Sequence, residues 1–69
     1  MRANITHYWT PRDQDRAVLR EYIKTLRDGA WEKAGNIALA VIADGDRQLA
    51  AKLRDIEGIF NRTGTLPVY

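Results

Sequence analysis

Residues 47–60 read RQLAAKLRDIEGIF, and the spacing of their apolar members decides the fold. Leu49, Leu53, Ile56 and Phe60 stand four, three and four residues apart. At the period of an α-helix this puts them on one side as a narrow a/d seam, with Arg47, Arg54 and Asp55 facing away. A helix is therefore expected over about 46–61.

Working back from this seam, Asp44-Gly45-Asp46 reads as a break. Gly45 suits the end of one helix, and Asp46 suits the N-cap of the next, where its carboxylate accepts from backbone N–H groups. The alternative is a single long helix with Gly45 inside it, at a cost of about 1 kcal/mol relative to alanine. Upstream, residues 30–43 form a second helical segment. Trp31, Ala34, Ile37, Ala38, Val41 and Ile42 share one side, and Leu39 and Ala43 lie on the other. A helix apolar around most of its circumference tends to be central, so this element is expected to be the most buried. Its small residues Ala34, Gly35 and Ala38 let another helix approach closely, including one from a second copy.

The first helix is expected over about 11–28. Thr10 suits its N-cap, Pro11 its first turn, and Asp13 reaches back as the acid of a capping box. Val18, Leu19, Tyr22, Ile23 and Leu26 make one apolar stripe, and Gly29 is a natural C′ residue. Tails without helical period cover 1–9 and 62–69. The second ends in apolar residues after Gly64 and Pro67 and can pack back on the bundle. The fold class is thus all-α: one domain over 1–69, as a three-helix bundle or a helical hairpin completed by homodimerisation.

A chain of 69 residues buries only about 60% of its unfolded surface, so its core is marginal. Small domains often add a staple, and the absence of cysteine removes disulfides and cysteine-zinc sites. A homodimer is the remaining common staple. The lack of cysteine also fits a reducing, cytoplasmic setting. No apolar h-region follows Met1, so no signal peptide is expected, and no run approaches the roughly 20 apolar residues of a membrane span.

Enzymatic chemistry is argued against by what the chain lacks. There is no serine and no cysteine, and His7 is the only histidine, which removes the common nucleophile–base arrangements and the usual zinc sites. Asp44 and Asp46 are accounted for by turn and cap duty. The same pair opens like a calcium loop, but the central glycine and the glutamate at the twelfth position are missing. No catalytic, metal or cofactor-binding residue is assigned.

The unusual feature is a basic row on the first helix: Arg12, Arg16, Arg20, Lys24 and Arg27, five of the eleven basic residues in a chain of net charge +2. Like charges at i,i+4 cost a few tenths of a kcal/mol each. Asp13 with Arg16, Glu21 with Lys24, and Lys24 with Asp28 offer local offsets. Two readings stand: a solvated, partly paired helix face, or a docking stripe for phosphates or an acidic protein surface. A helix-turn-helix around Gly45 fits poorly, because Asp44 and Asp46 are charged where that motif packs apolar residues. Of the aromatics, Tyr22, Trp31 and Phe60 are expected in the core, whereas Tyr8, Trp9 and Tyr69 lie in the tails.

Together these features point to a non-enzymatic protein-binding module, an adaptor or inhibitor of the kind phages and plasmids encode. Its partner would be an acidic surface of a larger protein, met by the basic row with Tyr8 and Trp9 as anchors. A nucleic-acid-binding regulator using the same row is the alternative, and a purely structural assembly subunit is a third class. No cofactor and no membrane partner are expected.

Overall fold

The computed structural model describes residues 10–69 of the chain. Three helices follow in order: α1 Asp13–Arg27, α2 Trp31–Ala43 and α3 Arg47–Thr63. Each packs on the other two, and among the described residues there is no strand. The connections between helices are three residues each, 28–30 and 44–46, short enough to make successive helices antiparallel neighbours.

The helix ends show which local signals prevailed. Arg12, not Thr10, is the N-cap of α1, with an extended backbone at φ −77° and ψ 171°. The acid that reaches back is Asp15, whose Oδ2 accepts from the Arg12 backbone N–H at 3.0 Å. The Arg12 guanidinium grips the same carboxylate through Nε at 3.1 Å and Nη2 at 3.3 Å. A charged acceptor that satisfies both a backbone donor and a guanidinium outweighs the single neutral bond a threonine hydroxyl offers. The helix accordingly starts two residues later than the sequence suggests. Its other end closes as a Schellman motif: Ala30 N–H donates to Thr25 O at 2.8 Å, and Gly29 N–H to Leu26 O at 3.2 Å. Gly29 takes φ 74°, a left-handed conformation that costs other residues about 1–2 kcal/mol.

Asp46 caps α3 as expected, with Oδ1 accepting from Leu49 N–H at 3.1 Å. The break at Gly45 is real, with φ 80°. At its far end α3 runs to Thr63, so residues 62 and 63 belong to the helix. Gly64 then turns the chain at φ 74°, its N–H donating to Phe60 O at 2.8 Å. Beyond it Leu66 and Tyr69 fold back against the core.

The four side chains buried most completely are Leu19, Leu26, Leu53 and Ile56, two from α1 and two from α3. Tyr22, Ile23 and Leu49 complete this inner layer. Within it, burial pushes the Tyr22 phenol above its ordinary value, and the nearby charge of Glu57 adds to the shift. Thr25 is buried and satisfied, its hydroxyl donating to Tyr22 O.

The expectation that α2 is the most buried element fails. It lends the core only Ala34 and Val41, with Ile37 and Ala38 packed at the edge. Trp31, Leu39 and Ile42 are 57%, 65% and 54% exposed. The reason is geometric: two neighbours cover one side of a helix, and α2 is apolar on more than one side.

Leu53 is 1% exposed, and removing its side chain leaves a cavity between α1 and α3. Leu53→Ala should cost about 2–5 kcal/mol. Against the ~3–10 kcal/mol that a domain of this size has in total, that is enough to unfold a large fraction. Urea denaturation followed by far-ultraviolet circular dichroism reads the loss directly.

Candidate functional site

The basic row occupies one flank of α1, between the buried stripe and the fully solvated side, and spans about 22 Å from Arg12 to Arg27 at 1.5 Å per residue. All five positions are exposed. The fold divides them into two groups.

Arg12 and Arg20 are engaged in contacts within the fold. Besides its grip on Asp15, Arg12 donates through Nη2 to Asp46 Oδ2 at 3.4 Å, linking the start of α1 to the start of α3. Arg20 donates through Nε at 3.0 Å and Nη2 at 2.8 Å to the backbone oxygen of Tyr69. That contact pins the returning chain along the row.

Arg16, Lys24 and Arg27 form no ion pair and no side-chain hydrogen bond among the described residues. The local pairs that the spacing allowed, Asp13–Arg16, Glu21–Lys24 and Lys24–Asp28, do not form. Three cations are thus presented on one flank. Beside them Arg20, Ile23, Arg27, Pro67, Val68 and Tyr69 outline a shallow hollow of about 300 Å³, and Val68 is 97% exposed. A bare aliphatic side chain bordered by cations is chemically suited to a protein surface carrying both acids and apolar groups. Tyr8 and Trp9, expected as anchors, and His7 lie outside the described residues. The apolar companion that the structure places at the row is the 67–69 segment. Pro67 and the apolar end of the chain gave the signal for it, but its destination could not be read from spacing.

A second surface lies on α2. Trp31, Gly35, Leu39 and Ile42 follow one another at steps of four, four and three along its outward side. No charged residue occurs from 34 to 43. Beside Ile42 a groove of about 540 Å³ opens toward α3, over Ala50 and Ala51 and between Arg47 and Arg54.

Among the described residues no three His, Asp or Glu side chains gather where they could hold a metal ion, and no helix is long and apolar enough to cross a membrane. No protein family, curated protein or solved structure matches this chain.

The hydrogen bonds from the Arg12 side chain and backbone hold the Asp15 carboxyl below its ordinary value of 3.8, more than its burial raises it. A folded value below the unfolded one favours the ionised form in the native state. Its stabilisation is complete above the ordinary aspartate range and is lost as pH falls through the folded value. Asp15→Asn should therefore be less stable than the wild type at pH 7. The gap in urea midpoint should narrow as the pH is lowered from 7 to below the ordinary aspartate value of 3.8. A gap of constant size at both pH values would show that the carboxylate's charge is not what stabilises this junction.

Proposed function

We propose that this chain is a small non-enzymatic protein-binding module, working as a homodimer, whose α1 flank docks on an acidic surface of a larger protein as an adaptor or inhibitor. The observation that carries this reading is the exposed trio Arg16, Lys24 and Arg27, without ion pairs among the described residues, on a flank where Arg27 borders bare Val68. Cations alone would serve phosphates equally well. An aliphatic side chain at the same place, and an uncharged apolar face on α2, favour protein contact over a nucleic-acid backbone. Arg12 and Arg20, committed to Asp15, Asp46 and Tyr69, would shape the surface rather than bind with full strength. A reducing, cytoplasmic setting belongs to this reading and is supported by the absence of cysteine.

The test compares two probes by fluorescence anisotropy: a labelled peptide of mixed Asp, Glu and Leu, and a labelled random duplex DNA. The peptide should bind with a Kd in the micromolar range, about −8 kcal/mol. The triple variant Arg16→Glu, Lys24→Glu, Arg27→Glu should weaken it at least about tenfold, or ~1.4 kcal/mol, with helicity unchanged. Duplex DNA bound more tightly than the peptide, with affinity falling steeply as salt rises, would replace this reading with that of a nucleic-acid-binding regulator. Binding of neither probe would leave the row a solvated helix face.

A further inference from the structure

The outward side of α2 fits a second copy of itself. We propose that two chains pair antiparallel through α2, each seating Trp31 in the groove beside the partner's Ile42. This rests on the dimeric part of the reading above and names the surface that would make the dimer.

The first support is the pattern of exposure. Trp31, Gly35, Leu39 and Ile42 fall within roughly 80° of arc at 100° per residue, a single stripe running the length of the helix. Its three large members are all more than half exposed. Isolated apolar residues on a surface need no explanation, but a continuous stripe on the least charged segment of the chain does.

The second support is self-complementarity, which a twofold interface demands. An axis crossing the stripe midway between Trp31 and Ile42 sets Trp31 opposite the partner's Ile42, and brings Gly35 within about one residue's rise of the partner's Leu39. Large thus meets small where the helices approach most closely. An ideal Cβ built at Gly35 meets nothing within 4 Å, so the position is open space where the partner's Leu39 can come close to the helix backbone. At the ends, the groove over Ala50 and Ala51 has a volume of about 540 Å³, ample for an indole, and its small floor lets the ring lie flat.

The third support is charge. Glu32 adjoins Trp31 in sequence, and the groove that receives it is lined by two cations, Arg47 and Arg54, against one acid, Asp46, which already pairs with Arg12. Seating Trp31 therefore carries Glu32 toward two cations of the partner, and the Arg54 guanidinium lies within reach of the indole face. Antiparallel pairing also sets the positive N-terminal end of each α2 against the negative C-terminal end of the other. A parallel pair would bring like ends together.

One 13-residue helix with its flanking groove makes an interface near the lower limit for stable dimers, about 1,000 Å² in total. Association in the micromolar range is expected rather than an obligate dimer.

Sedimentation equilibrium of the full chain, from about 1 µM to about 1 mM, should show the mass rising from one copy to two, with a midpoint in the tens of micromolar. Trp31→Lys and Ile42→Lys should each weaken association at least about tenfold. Gly35→Gln is the decisive variant, because it puts a side chain where the partner helix would approach while replacing the helix-weakening residue. In dilute solution its urea midpoint should rise above that of the wild type, while dimerisation falls at least about tenfold. Opposite changes in the two readouts cannot come from misfolding. A wild type that stays a single copy up to about 1 mM would overturn the pairing and the dimeric reading together. A dimer that survives all three substitutions would overturn the pairing alone and place the seam elsewhere. Either result leaves the acidic-peptide assay free to judge the α1 flank by itself.

Discussion

The packing of α1 against α3 is the contact on which the rest of the molecule depends. Leu19 and Leu26 from one side and Leu53 and Ile56 from the other are the most deeply buried side chains, each worth about 1.5–3 kcal/mol when fully removed from water. Because these two helices close the centre between them, α2 covers the seam with Ala34 and Val41 and little else. A small core of this kind leaves a large part of an apolar helix facing outward. Exposure of Trp31, Leu39 and Ile42 is thus a consequence of how the core is filled, and gives α2 a surface suited to association.

Charge is arranged around the same core in two roles. The junction of Arg12, Asp15 and Asp46 joins the starts of α1 and α3, so that one guanidinium serves the capping acid of each. Arg20 fastens the returning chain to α1. These contacts lie at the start of α1 and along the returning chain. The remaining cations of the row gain no such partner, and a flank of like charge is maintained next to the segment that Arg20 pins. Cations with a partner in the fold and cations without one among the described residues thus share one helix flank, which an i,i+4 pattern alone does not reveal.

Much of the fold was legible because period and capping act locally. The 49–53–56–60 seam, the α1 stripe and the break at Gly45 follow from side-chain spacing and backbone preference, and the bundle realises all three. Asp46 as a cap was readable for the same reason. Arg12 was not, since arginine is no capping residue and its place depends on Asp15 offering a carboxylate to its side chain and backbone together. The burial of α2 was misread because a helical wheel shows which side is apolar, not how many neighbours there are to cover it; Trp31 is the residue where that distinction matters most. The basic row was visible as a pattern, but its division into holding and presenting members required the positions of Asp15, Asp46 and Tyr69, two of them more than thirty residues away from their arginine.

The central claim is that the outward side of α2 is a surface built to be covered. Two-dimensional ¹H–¹⁵N spectra recorded on dilution from about 1 mM to about 10 µM, a range bracketing micromolar association, test it most directly. The account predicts concentration-dependent shifts confined to Trp31, Gly35, Leu39 and Ile42 on α2 and to Ala50, Ala51 and Arg54 on α3, with α1 unmoved. Spectra that do not change with concentration, or changes gathered on the α1 flank instead, would contradict it.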